Sequence, residues 1–246
     1  DANGDKWEVD KNDFSLTVAG VRTEFEYALI IIHGTPGEDG KLQGYLDMMG
    51  IPYSSCSQVS STITFDKIST KRAVAGRGIN LAREVLICRG ESVDSKAVVE
   101  KLGLPLFVKP NASGSSFGVT KVTTVEQIPA AVEAAFKESD EVLIEECIVG
   151  REMGCGVVVT ADREILLPIT EIVSKRAFFD YEAKYNGRSR EVCPAQIPDS
   201  LRDQIQAASK KIYAHLGCAG LVRVDYISSE DGLYFLEVNT IPGMTA

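Results

Sequence analysis

At 246 residues, 44% apolar and 25% charged, with a mean hydropathy of −0.01, the chain has the make-up of a globular protein with two or three modest cores. The net charge of −9 excludes a broad nucleic-acid surface, which needs clustered Lys and Arg, and apolar runs no longer than the one at residues 28–32 exclude a membrane-spanning helix. Six scattered cysteines without a C-x-x-C pair argue against a disulfide framework and fit a reducing cytoplasm; two histidines cannot make a metal site by themselves.

Residues 1–27 alternate polar and apolar around turn residues and predict a β-hairpin. The continuous apolar run at 28–32 has the pattern of a parallel strand covered on both faces, and it leads into the loop His33-Gly34-Thr35-Pro36-Gly37-Glu38-Asp39-Gly40. A helix is expected from Lys41 to Met49, ended by Gly50. This block, 1–62, reads as part of an α/β domain. The second unit, 63–148, reads as α+β. It runs through a helix at 66–75, a strand at 82–88, a helix at 95–102 closed by Gly103, and a strand at 106–109. A Ser/Gly loop at 110–118, a strand at 119–122, a helix opened by Thr124 with Gln127 placed for a capping box, and a strand at 141–145 complete it. The third unit, 149–246, opens with strands at 152–160 and 164–173 and crosses a polar stretch at 174–190. A helix capped by Ser200 follows, with Leu201, Ile205, Ala208, Ile212 and Leu216 at helical spacing up to Gly217. Strands at 221–227 and 233–239 close the unit across a five-residue turn. With no Met at its start and an abrupt stop after 242–246, the chain reads as incomplete at both ends.

Chemistry concentrates in two places. Side chains alternate along a strand, so a hairpin pairing Ile227 with Leu233 turns Arg223, Asp225, Glu237 and Asn239 to one side, opposite an apolar face that includes Val222, Val224, Tyr226, Tyr234, Leu236 and Val238. Two carboxylates and a carboxamide beside an arginine suit Mg²⁺, which takes one or two carboxylates and completes its shell with water and phosphate. A solvated polar face with an ordinary Arg–carboxylate pair is the alternative. The other place is Lys109 at a strand end, followed by a small-residue loop whose N–H groups can approach a phosphate; a plain solvent loop is the alternative there. Neither a Walker A loop nor a dinucleotide fingerprint is present. Lys67, just after Asp66, is a second candidate cation, or a surface lysine.

The order Lys67, Lys109-Pro110 with its Ser/Gly loop, Val142-Leu143-Ile144-Glu145-Glu146, Arg223-x-Asp225 and Glu237-x-Asn239 resembles the ATP-grasp superfamily. The phrases at 33–40, 180–185 and 237–245 resemble the D-alanine–D-alanine ligases within it, a match running from about residue 28 to the end. The resemblance implies an ATP-grasp fold with the remainder of an N-terminal α/β substrate domain. It implies phosphate binding by Lys67 and Lys109, with Ser116 beside them and Lys184 reaching the nucleotide from the polar stretch. Adenine would lie against the linker Glu145, Glu146, Cys147 and Ile148, and Glu152 would meet the ribose. Asp225, Glu237 and Asn239 would carry two Mg²⁺, or Mn²⁺. Arg223 and the N–H of Gly243 would stabilise charge on the reacting carboxylate and the tetrahedral intermediate. Ser115 and Tyr185 would orient the D-alanines, and His33 would face substrate. Two family positions, a Glu on the first strand and a Ser after the Met-Thr segment, are not in this sequence.

The activity so implied joins two D-alanines at the expense of ATP for peptidoglycan precursors. Alternatives are D-lactate as second substrate (relatives of that kind usually have Phe where this chain has Tyr185), another ATP-grasp ligase, and a nucleotide-binding module without catalysis. The expected partners are D-alanine and ATP, with no nucleic acid and no membrane, in a cytoplasmic homodimer. His215, in the last turn of its helix, and the cysteines Cys147, Cys155 and Cys218 read as structural.

Overall fold

The computed structural model describes residues 6–114, 117–160, 162–174 and 189–243. The expected hairpin is β1 (Leu16–Val18) and β2 (Val21–Thr23), and helix α1 (Lys41–Met49) stops at Gly50, whose φ of 70° suits glycine. The run at 28–32 departs from expectation. It makes a single parallel bridge, Ala28 to Tyr53, and Leu29, Ile31 and Ile32 are exposed while Ile30 packs with Leu46 and Ile241. A run apolar on both faces calls for cover on both, and among the described residues only one side is covered. Helix α2 (Gln58–Phe65) has no signal in the sequence, because Val, Ile and Thr weigh against a helix. Context decides it: Ser57 caps the Ser60 N–H, Thr64 donates to the Ser60 carbonyl, and the Ser60 hydroxyl lies 2.8 Å from the Leu216 carbonyl.

Four antiparallel strands, β4 (Glu84–Cys88), β5 (Leu106–Pro110), β6 (Thr120–Val122) and β7 (Glu141–Glu146), form a sheet in the order β4-β7-β5-β6. Leu106, Val108, Val122, Val142 and Ile144 turn to one face and build a core with α4 (Ser95–Leu102) and α5 (Ile128–Ala135). Period-2 alternation then sends Phe107, Lys109 and Glu145 to the other face. The capping box at Thr124 and Gln127 is present, on a 3-10 turn that leads into α5. Helix α3 (Lys67–Val74) starts where Asp66 bridges to Ala112, beside the end of β5.

The larger sheet has the order β11-β10-β8-β12-β13-β3, with β9 beside β8. Its strands are β3 (Asn80–Leu81), β8 (Arg151–Val159), β9 (Glu164–Leu166), β10 (Thr170–Ser174), β11 (Ser189–Val192), β12 (Gly220–Ser229) and β13 (Gly232–Asn239). The single strand expected at 164–173 is two, interrupted around Pro168, which has no N–H for a ladder. Helix α6 (Asp199–His215) is not capped by Ser200: Pro198 sits at the N-cap and its carbonyl accepts from Leu201 and Arg202. One face of α6 closes over Met153, Cys155, Val157, Val222 and Val224, and the Tyr226 hydroxyl lies 2.8 Å from Ser209 Oγ. His215 Nε2 sits 2.9 Å from the Ala73 carbonyl, a structural tie as expected.

Candidate active site

A cleft of about 740 Å³ is lined by residues of both sheets, of α3, and of the loops after residue 32 and after β13. That volume is in the range of sites for cofactor-sized molecules. Lys67, Lys109, Glu145, Glu146, Ile148, Glu152, Arg223, Glu237, Asn239, His33 and Gly243 all line it. Asp225 does not open onto it; its side chain is buried behind Arg223. Ser115, Ser116, Lys184 and Tyr185 lie outside the described residues.

The closing hairpin reaches this arrangement by a route the sequence did not disclose. Its turn is two residues long, and near the turn Ile227 pairs with Tyr234 and Tyr226 with Phe235. Carried on without interruption, that register would put Asp225 opposite Leu236 and send Glu237 to the other face from Asp225. A bulge between Asp225 and Tyr226 takes up one extra residue of β13, so that Asp225 pairs with Glu237 and Arg223 with Asn239. Leu233, Phe235 and Val238 therefore face the core, whereas Tyr234 and Leu236, expected with Val238 on the apolar face, line the cleft.

Around Asp225 the polar groups interlock. Arg223 donates from Nε to Asp225 Oδ1 at 2.7 Å and from Nη2 to Oδ2 at 2.9 Å, and Asn239 Nδ2 donates to Oδ2 at 2.8 Å. The neighbouring Asp225 carboxylate raises the Arg223 guanidinium above its ordinary value against the opposing effect of burial. Among the described residues no cluster of three His, Cys, Asp or Glu side chains could hold a metal ion by itself. The donor chemistry nonetheless fits a hard cation that shares its shell with phosphate. Glu237 lines the cleft, and Asn239 spends its amide N–H on Asp225, leaving the amide oxygen as a neutral ligand directed away from that carboxylate.

Opposite stands a cationic group. Lys67 Nζ donates to the Ser113 carbonyl at 2.9 Å, which holds the loop after β5 against α3; burial pushes its ammonium below the ordinary lysine value. Lys109 is ion-paired with Glu145 Oε2, and Lys71 Nζ donates to Glu145 Oε1 at 2.7 Å. Burial alone would raise the Glu145 carboxyl; the two lysines outweigh it and hold it below the usual range. Glu145 thus works through its side chain on the lysines, in addition to any backbone contact the linker makes. Lys71 was missed by sequence reading. Its spacing of four from Lys67 on a helix was the available signal, since such residues share a face.

The linker's hydrogen bonding is largely committed. Glu146 accepts from Arg83 N and Nε, both at 2.7 Å, and the Glu146 and Cys147 N–H groups bond to the Arg83 and Pro105 carbonyls. At the far end, Glu38 accepts from the Gly34 N–H at 2.6 Å, and burial raises its carboxyl above the ordinary value. Glu38 lies beside His33 in the cleft and was also missed, although it stands in the loop phrase at 33–40.

Two sheets closing on one cleft, with Lys109 on the smaller and Lys67 on the helix beside it, and an Arg–carboxylate–carboxamide set on the larger, define an ATP-grasp protein. A family profile described as the D-ala D-ala ligase C-terminus matches residues 74–246, and one described as the D-ala D-ala ligase N-terminus matches residues 4–56. The chain belongs to the D-alanine–D-alanine ligase family. It is 49% identical over 245 residues to the D-alanine–D-alanine ligase of Phocaeicola vulgatus, covering 99% of this chain and 76% of that one. Among solved structures it is similar to D-alanyl-alanine synthetase A from Vibrio cholerae, with TM-score 0.86, 30% identity and coverage of 97% of this chain and 74% of that one. VanG D-Ala:D-Ser ligase from Enterococcus faecalis gives TM-score 0.83 and 36% identity over 97% and 71%.

Proposed function

We propose that this protein is an ATP-dependent ligase that joins two D-alanines for peptidoglycan precursors. The observation that carries the reading is the cleft, where Lys67 and Lys109 face Arg223, Glu237 and Asn239 inside a family of such ligases. A carboxylate oxygen of the first D-alanine attacks the γ-phosphorus, ADP leaves, and a D-alanyl phosphate forms. The amine of the second attacks the acyl carbon, and inorganic phosphate departs with the bonding pair of the C–O bond.

Phosphoryl transfer asks for alignment and neutralised oxygens more than covalent help, and that is what these residues provide. Lys67 and Lys109 hold the α- and β-phosphates, with Ser116 and Lys184 as further contacts. Adenine rests on the linker at Glu145, Glu146 and Ile148, and Glu152 takes the ribose hydroxyls. Glu237 and Asn239 would hold two Mg²⁺, or Mn²⁺, with Asp225 joining them by turning its carboxylate from Arg223; the ions would supply positive charge to the phosphate oxygens when bound. Arg223 and the Gly243 N–H stabilise the anionic carbonyl oxygen, while His33, Ser115 and Tyr185 orient the amino acids. The acyl phosphate is water-sensitive, so the reaction calls for a cleft closed to solvent while it exists. In this reading the three units are 1–62, 63–148 and 149–246, and a cytoplasmic homodimer carries the activity.

The test is phosphate release from ATP and Mg²⁺ by the intact protein with D-alanine, D-serine or D-lactate as acceptor. Release that requires D-alanine, with D-alanyl-D-alanine as product, supports the proposal. Release that ignores D-alanine, or a clear preference for D-serine or D-lactate, overturns the substrate assignment. VanG at 36% identity is the reason D-serine is included.

A further inference from the structure

Lys71 is 4% exposed and does not line the cleft, yet its ammonium is the hub of the charges beneath it. Nζ donates to the Ala82 carbonyl at 2.7 Å, to Glu84 Oε2 at 2.6 Å and to Glu145 Oε1 at 2.7 Å. All three of its protons are thereby used. Glu84 and Glu145 are direct cross-strand partners of β4 and β7, so their side chains project from the same face of the sheet. Like charges so placed repel, and Lys71 is the cation between them. On its other side Glu145 pairs with Lys109, which is buried but lines the cleft.

A carboxylate shared between two ammonium groups holds each less firmly than it would hold one. We propose that Lys71 is a positioning residue for nucleotide binding: by sharing Glu145 with Lys109, it keeps the Lys109 ammonium directed at, and charged towards, a phosphate. The inference rests on the ATP-binding reading of the cleft. Without Lys71, Glu145 and Glu84 face each other uncompensated, and Lys109 is the nearest cation to answer both. It would be drawn down towards the sheet, and part of its charge would be spent inside the protein. Around metal ligands, removing such an outer partner commonly costs roughly 10- to 100-fold in affinity, and a loss at the lower end of that range is expected for a phosphate-binding lysine.

The experiment is calorimetric binding of ADP and of adenosine to the intact protein and to Lys71→Met, Lys71→Arg and Lys71→Met/Glu84→Gln. Adenosine has the base and ribose and no phosphate for Lys109. Lys71→Met is expected to bind ADP about tenfold or more weakly while adenosine affinity changes little, and Lys71→Arg to recover most of the loss. The double variant removes one carboxylate together with the cation, so it stays folded if the single variant does not, and the same weakening of ADP relative to adenosine is expected in it. An unchanged ratio of ADP to adenosine affinity in the folded variants would overturn the proposal, because a purely structural lysine would disturb both ligands alike. Failure of the wild-type protein to bind ADP would instead overturn the nucleotide reading itself, and the role of Lys71 with it.

Discussion

Gly154 lies on β8 directly opposite Asp225, and a Cβ there would stand 3.1 Å from Asp225 Oδ1 and 3.2 Å from Arg223 Cδ. Both distances are tighter than ordinary contact, so alanine moves the pair by a few tenths of an ångström. Gly154→Ala is expected to lower kcat by roughly tenfold, since misplacement by about 1 Å can cost about a hundredfold. Its melting temperature should hardly change; a fall in Tm with kcat preserved would contradict this account. Glu38 offers a second single-residue test. Its carboxyl titrates above the ordinary 4.5, with burial as the main cause. The contribution of this group to stability is therefore fully present below pH 4.5 and lost as pH rises through the folded-state value. Glu38→Gln cannot ionise, and its amide oxygen can still accept from Gly34. Thermal melts should show the variant stabilised relative to wild type at pH 8 and by less at pH 5. The reverse order would mean that Glu38 is held as a stabilised carboxylate.

At the scale of elements, α3 matters most, because it carries Lys67 to the cleft and Lys71 beneath it. The helix is fixed at its start by Asp66, whose Oδ1 caps the Ser69 N–H at 2.8 Å and whose Oδ2 accepts from Asn111 Nδ2 at 2.7 Å. Asn111 in turn accepts from the Ile68 N–H at 2.9 Å, so the cap locks α3 to the end of β5. Asp66→Ala should cost about 1–2 kcal/mol of stability by chemical denaturation and weaken ADP binding as well. Asp66→Asn, which keeps a capping oxygen, should lose less of both, and equal losses in the two variants would discount the cap. Elements whose signals are local were legible in the sequence: α1 ends at Gly50, α4 at Gly103, and the capping box precedes α5. Elements settled by distant contacts were not. Helix α2 depends on Ser60, which bonds to the end of α6, and the exposed side of residues 28–32 depends on what packs against them. Within the site, the types of residue on the last hairpin could be read directly, but the bulge could not, because alternation along each strand says nothing of an extra residue on one of them. Lys71, and the hold of the Glu145 side chain on the lysines, escaped for a related reason: a buried charge network is defined by partners far apart in the chain.

Across the whole molecule, the two sheets meet over one cleft, and a nucleotide reaching from the linker to Glu237 would touch both. Such a ligand binds only the folded arrangement and so adds RT ln(1 + [L]/Kd) to stability, about 2.7 kcal/mol at a hundredfold excess over Kd. In a chain of this length that is a rise in Tm of roughly 5–10 °C. The rise should divide by sheet. On the proposed reading the lysines of α3 and β5 would act on the phosphates with or without a divalent cation, whereas Glu237 and Asn239 would act on them only through one. Wild type with ADP alone is therefore expected to gain part of the shift, and Mg²⁺ to add the remainder. Glu237→Gln should keep the first part and lose the Mg²⁺-dependent part, while Lys109→Met should lose most of the first. Melting curves of the three proteins with ADP, with and without Mg²⁺ and with EDTA as control, check the division. An increment from Mg²⁺ that survives in Glu237→Gln at full size would place the cation elsewhere and remove the larger sheet from the phosphate site.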